Sequence, residues 1–187
     1  MEFLLSLIVG IILSVTAGFR LFVPLLVLSA ASLAGWVELS DSFAWIGTYP
    51  ALAALLVATI IETVAYFIPY VDNLLGAAAT PISVLAGALI TASVIIEMHP
   101  MLTWTLAVVL GGGAALGGSA VSNLVHAGST AATGGAGNPV ISLFEGAAAL
   151  VLAVLAALVP VLALILLGLL LFLAAKAFRR HGKPRIN

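Results

Sequence analysis

Residues 3–35 form an apolar stretch interrupted only by Arg20, with Pro24 just behind it. A spanning helix needs about 20 mostly apolar residues to cross roughly 30 Å of hydrocarbon. A single helix over this stretch would be roughly 50 Å long at 1.5 Å per residue, too long for one crossing. The pattern therefore splits at residues 17–20, predicting spans near 2–18 and 21–36. Residues 37–49 are polar and aromatic, an interfacial loop with Trp36, Trp45 and Tyr49 at headgroup level. A third span starts at Pro50, a residue suited to a first helical turn, and runs to Ile68. A fourth covers about 74–96 and is interrupted by Pro81. Residues 97–100 are a loop, and a fifth span covers 101–117. A Gly/Ser/Thr-rich stretch, 111–138, overlaps its end. The sixth span is 139–158, Pro160 breaks the chain, and the seventh is 161–177.

Composition agrees with lipid as the solvent. The 187 residues are 64% hydrophobic and 7% charged, with a mean hydropathy of +1.33. An ordinary globular chain carries about a quarter charged residues, so a soluble domain of this size is excluded. The net charge of −1 and pI near 6.2 exclude the basic face of a nucleic-acid binder. Without cysteine there are no disulfides or thiolate metal sites. The expected fold is an all-α polytopic transmembrane bundle of seven spans, six being the smaller count. It forms one domain, residues 1–177, with a basic tail, 178–187. Broken or re-entrant elements are expected near 18–24, 69–81 and 118–139.

The first apolar run lacks the positive n-region of a signal peptide and continues past Arg20, so a retained helix is expected. Basic residues favour the cytoplasmic side. Lys176, Arg179, Arg180, Lys183 and Arg185 place the C-terminus there, and seven spans then place the N-terminus outside. Arg20 falls at a cytoplasmic turn, while Glu38, Asp41 and Glu97 fall outside. The expected location is the cell membrane.

A repeat is visible. Pro50 and Pro100 begin apolar spans, and Asn73 and Asn123 each follow 23 residues later within Val-x-Asn-Leu. Pro24, Pro81 and Pro139 open related apolar runs, 57 and 58 residues apart. Apolar sequence of low complexity also yields such matches by chance. If the repeat is real, each unit is helix, broken linker, helix, with every break on the cytoplasmic side. Repeats with interrupted helices are a common transporter architecture.

Three blocks carry a resemblance: Gly18-Phe-Arg-Leu-Phe-Val-Pro24, Glu62-Thr-Val-Ala-Tyr-Phe-Ile-Pro-Tyr-Val-Asp72, and Thr133-Gly-Gly-Ala-Gly-Asn-Pro-Val-Ile-Ser-Leu-Phe-Glu145. In this order, over about residues 5–160, the chain resembles the bacterial small membrane proteins grouped as domain-of-unknown-function family 4126. In that family the second block usually reads Glu-x-x-Ala-Asp-Lys-x-Pro-x-x-Asp; here Tyr66 and Phe67 replace the Asp-Lys pair. The third usually ends Glu-Asp; here Gly146 follows Glu145. The resemblance implies a membrane fold, and the family's function is open.

Four ionisable residues lie in or beside apolar spans: Arg20, Glu62, Asp72 and Glu145. A charge at the bilayer centre costs about 2.5–3.5 kcal/mol on insertion scales, and such residues face a bundle interior or a watery cavity. Glu62 is twelve residues past Pro50, about 18 Å along a helix and near the midplane. Glu145 is six residues past Pro139, roughly 9 Å in from the cytoplasmic side. Arg20 and Asp72 occupy equivalent turns of two hairpins, so Asp72 is the first expected partner of Arg20 and Glu145 the second. Two readings stand side by side. In one, Glu62, Glu145, Asn73, Asn123, His126 and Asn138 line a path for a small molecule or ion. In the other, the same polar residues pin the helices together in a structural or accessory subunit. About 170 membrane residues are little material for a complete pathway, so a homo-oligomer in the lipid bilayer is expected.

The stretch 111–138 offers hydroxyls and glycines that permit close helix approach or a helix break. Residues 133–138 before Pro139 could present free amides to an anion at a helix N-terminus, or form a plain loop. No Walker-type sequence occurs, so nucleotide binding is not expected. Gly117-Gly118-Ser119 with His126 could suggest an intramembrane serine hydrolase, which needs a Ser–His hydrogen bond and an oxyanion site. His99 is a loop residue, and His181 belongs to the tail. No His/carboxylate cluster has metal spacing. The expectation is no enzyme, no metal and no cofactor.

Overall fold

A computed structural model describes residues 2–66, 69–96 and 98–181, with side chains except at 69–78, 173–175 and 177–181. Every described element is helical: α1 Glu2–Phe19, α2 Phe22–Leu33, a 3-10 turn Asp41–Gly47, α3 Tyr49–Ala65, and α4 Pro69–Val94. These are followed by α5 Pro100–Leu106, a π-type segment Ala107–Gly112, α6 Gly113–Thr133, α7 Asn138–Leu158 and α8 Pro160–His181. The chain is an all-α membrane-like bundle. Three helices are long and apolar enough to cross a membrane: Glu2–Phe19, Pro100–Thr133 and Asn138–Leu158. The 3-10 turn and α3, bent by 66°, together make a fourth candidate. Phe22–Leu33, Ala79–Val94 and Pro160–Phe172 are shorter apolar helices.

The first split falls at Arg20 and Leu21, at the far edge of the expected 17–20, because α1 stays helical through Phe19. The interfacial loop folds into the 3-10 turn, held by the Ser29 hydroxyl donating to the Ile46 carbonyl at 2.6 Å. The Ser40 amide reaches the Ser93 carbonyl at 2.8 Å, tying this turn to the end of α4. Trp36, Trp45 and Tyr49 are all exposed, as headgroup-level aromatics should be.

One expected break is absent and another is shortened. Helix α4 runs through Pro81, so the interruption expected over 69–81 does not occur within Pro69–Val94. A proline is tolerated in a membrane helix where neighbouring groups take up the freed backbone. The glycine-rich stretch is also helical. From Pro100 to Thr133 the chain forms 34 helical residues, with the π-type turns absorbed at Ala107–Gly112. The re-entrant element expected over 118–139 shrinks to residues 134–137, where Gly134 and Gly135 adopt φ of 63° and 90°. Those two conformations require glycine. Gly35, after α2, also has a positive φ, 74°, while Gly10, Gly18, Gly87, Gly111 and Gly118 sit where another helix leaves no room for a Cβ.

That packing sets the core. Helix α1 sits against α4, α6 and α7, burying Ile12, Leu13 and Val15 with Leu28, Ile90 and Leu152. In lipid, apolar side chains gain nothing by avoiding water, so association rests on close contact and interhelical hydrogen bonds. Three faces supply both at four-residue spacing: Gly10-Ser14-Gly18 on α1, Ser83-Gly87-Thr91 on α4, and Gly111-Ala115-Ser119 along the long helix. A Cβ at Gly18 would strike the α6 backbone at Ala115, Gly118 and Ser119, and one at Gly118 would strike the Val15 carbonyl. Ser14 donates to the Gly87 carbonyl at 2.8 Å and lies 3.0 Å from the Thr91 hydroxyl. Ser83 and Ser119 meet at 2.7 Å.

Candidate functional site

The breaks after α1 and α6 and the C-terminus of α3 meet at one end of the bundle. Glu62, near the end of α3, accepts the Leu21 amide on Oε1 at 2.7 Å and the Phe22 amide on Oε2 at 3.1 Å. These are the amides at the start of α2, and Pro24 in the same turn has none to satisfy. A carboxylate there completes the open hydrogen bonds and complements the helix dipole. The acid expected on a path therefore caps a broken helix from the neighbouring one. It also feels the Arg20 charge.

Arg20 is only 3% exposed, so it points inward rather than snorkelling. Its Nη2 donates to the Ser142 carbonyl of α7, and its guanidinium lies 3.8 Å from the centroid of the Tyr66 ring. Glu145, the second expected partner, instead meets His126, Nε2 to Oε2 at 3.2 Å. Asp72, the first expected partner, has a side chain outside the described residues, as does Asn73.

Behind α1 and α6 lies a pocket of about 500 Å³ lined by Gly18, Tyr66, Thr80, Ser119, Ser122, Asn123, His126, Thr130 and Asn138. Three expected path residues, Asn123, His126 and Asn138, thus share one wall. Glu145 and Glu62 do not line this pocket, though Glu145 holds the His126 ring at its edge. Asn123 Nδ2 donates to Thr80 Oγ1 at 3.1 Å. Asn138, buried at the start of α7, donates from Nδ2 to Thr130 Oγ1 at 3.0 Å, tying α6 to α7 across the glycine turn. That turn leaves little for an anion: Gly137 N–H donates to Thr133 Oγ1 at 2.9 Å, and Asn138 N–H to the Gly135 carbonyl at 3.1 Å. Pro139 has no N–H.

Ser119 and His126 both line the pocket, and no hydrogen bond joins the two. The serine hydroxyl is engaged by Ser83 and by the Gly18 carbonyl at 3.2 Å, and the imidazole by Glu145. This is not the arrangement of an activated nucleophile. The described residues hold no group of three or more metal-ligating side chains.

A family model described as domain of unknown function (DUF4126) matches residues 7–180. The chain belongs to this family. No curated protein and no solved structure matches it. Membership agrees with the three blocks read in the sequence, and all three converge on the same end of this DUF4126 bundle: Arg20, Glu62 with Tyr66, and Asn138 with Glu145. Reading the sequence missed Tyr66 as a platform for Arg20, and Ser83 and Thr80 as partners of Ser119 and Asn123. The four-residue spacing of Ser83, Gly87 and Thr91 was the available signal for Ser83.

Proposed function

We propose that the protein is a small multi-pass transporter or channel of the cell membrane, non-enzymatic, with its path opening at the polar pocket. The observation that carries this reading is the pocket: about 500 Å³, in which the hydroxyls and amides of Thr80, Ser119, Ser122, Asn123, Thr130 and Asn138 and one imidazole stand among Gly, Ala and Phe, within an otherwise apolar chain. Its size suits a small polar molecule or an ion with part of its hydration shell. A second pocket, about 550 Å³, lies at the opposite end beside Glu38, Ser40 and Asp41. Between the two, α1, α4 and the long helix close on the Ser14–Thr91 layer, so passage requires these helices to part.

Seven crossings are part of the proposal. Support comes from the alternation of ends: the breaks near 20, 66 and 134–137 cluster together, while the 3-10 turn meets the end of α4 at the other side. Placing the basic tail in the cytoplasm puts Arg20 and the polar pocket on that side. Helix α3 buries no residue, and its exposed Val57, Ile60, Ile61 and Val64 suit lipid or a second copy in a homo-oligomer.

The test is flux. Protein in liposomes is assayed under proton, sodium and potassium gradients with pH- and potential-sensitive dyes. Asn123→Leu, an exposed pocket residue, is expected to lower flux at least about tenfold while the melting temperature in detergent stays within a few degrees. Equal flux in the variant removes the pocket from the path, and absence of flux in wild type under every gradient removes ion conduction.

One observation favours a second reading, a structural or accessory subunit: Glu62 caps α2 and Arg20 binds the α7 backbone. Glu62→Gln separates the two. As glue, it should lower the melting temperature, because an amide oxygen accepts less strongly than a carboxylate charge at a helix N-terminus. As a path group, it should lower flux with stability unchanged.

A further inference from the structure

On the face of α2 away from the polar pocket, a groove of about 340 Å³ runs between α3 and α7. Arg20, Ser142 and Thr63 line it together with Leu26, Leu143 and Leu150. Arg20 is 3% exposed and Ser142 2%. Three buried polar atoms here, Arg20 Nε, Arg20 Nη1 and Ser142 Oγ, have no hydrogen-bond partner. Such groups are costly to leave unsatisfied, and a guanidinium charge more so. One Nη2 bond to a carbonyl and one ring face leave most of its donors unused. Gly146 stands beside them: a Cβ there would lie 3.7 Å from Nε, in ordinary contact.

We propose that this groove binds one anionic membrane lipid, its phosphate or carboxylate head on Arg20 and Ser142 and an acyl chain along Leu26, Leu143 and Leu150. Charge complementarity selects the head, because Arg donates several hydrogen bonds in a planar fork that suits oxyanions. The groove selects the tail. From Ser142 to Leu150 is eight residues of α7, about 12 Å along the helix, and Leu143 and Leu150 are exposed. The donors are covered by their neighbours, so entry of the head requires these exposed side chains to move aside. Transport through the polar pocket is not needed for this binding.

The experiment uses the full chain in dodecyl maltoside, with phosphatidylglycerol, phosphatidylcholine, oleate or inorganic phosphate added separately. Adducts are counted by native mass spectrometry and melting is followed in parallel. Phosphatidylglycerol, oleate or both should form a one-to-one adduct with about tenfold preference over phosphatidylcholine and raise the melting temperature. Gly146→Asp supplies a carboxylate from the chain itself beside Nε. It should lose the adduct while melting at or above wild type without lipid. Leu143→Trp, filling the groove from an exposed position, should lose the adduct with folding intact. Full adduct retention in both variants overturns the proposal, as does equal binding of phosphatidylcholine. An equal rise in melting with inorganic phosphate alone assigns a free-anion site instead and overturns the lipid.

Discussion

Gly18→Val and Gly118→Val are each expected to prevent assembly of a stable bundle, with a loss at or above about 3 kcal/mol. Overpacking typically costs about 1–3 kcal/mol when side chains can give way. Here the obstacle is backbone on both sides. A Cβ at Gly18 would lie 2.5 Å from the Ser119 nitrogen and 2.8 Å from the Gly118 carbonyl carbon. No rotamer change relieves that contact, so α1 and α6 must separate, breaking the Ser119–Gly18 hydrogen bond. Two glycines of α6 make the control. Gly113 and Gly117 have nothing within 4 Å of a built Cβ, and alanine there should be neutral or stabilising by about 0.5–1 kcal/mol, because glycine is the poorer helix former. Size-exclusion profiles after detergent extraction and melting curves read all four variants. Wild-type melting of Gly18→Val would show that the close approach of α1 and α6 is not what holds the bundle.

The contrast between these two pairs of glycines also explains what the sequence concealed. A run such as Gly111-Gly-Gly113 with Gly117-Gly118 reads equally well as a break or as a packing face, because the same missing Cβ serves both. Which one occurs depends on whether another helix is pressed against it, and that is a tertiary fact. The apolar spans at 2–18 and 139–158 were legible because length and hydropathy alone decide them. Pro81 misled in the same way as the glycines: proline weakens a helix locally, and neighbours decide whether the helix survives.

At the polar end, the chemistry was legible and the pairing was not. Arg20, Glu62, Glu145, His126, Asn123 and Asn138 stand out as the polar residues of an apolar chain, and the folded protein does gather them at one end. Sequence separation set Glu62 near the midplane, whereas it lies in the last turn of α3, at the start of α2; it also left rotation about each helix axis undetermined. A helix turned by one residue swings its side chains through about 100°. That angle sends Glu145 to His126 and Glu62 to the first amides of α2 rather than to the guanidinium. Backbone partners such as the Ser142 carbonyl carry no sequence signal, since every residue offers one.

Arg20→Ala is the second large effect, an expected loss of about 2–4 kcal/mol. Two interactions disappear with the side chain. A hydrogen bond from a charged donor contributes about 1.5–3 kcal/mol, here Nη2 to the Ser142 carbonyl. A desolvated cation–π contact contributes about 2 kcal/mol, here the guanidinium 3.8 Å from the Tyr66 centroid. Against them stands the burden of Nε and Nη1, buried without partners, which the substitution relieves. The opposing terms keep the net below the sum of the first two. They also rank the variants: Arg20→Met, filling similar space without charge, should cost less than Arg20→Ala, while Arg20→Lys should not restore wild type, because an ammonium lacks the planar face and fork. Tyr66→Leu tests the stack. Combined with Arg20→Ala it should cost less than the two losses added, by about 0.5–3 kcal/mol, the coupling expected of residues in contact. Melting of purified protein in detergent measures the cycle. If Arg20→Ala melts with wild type, the buried contacts contribute nothing net.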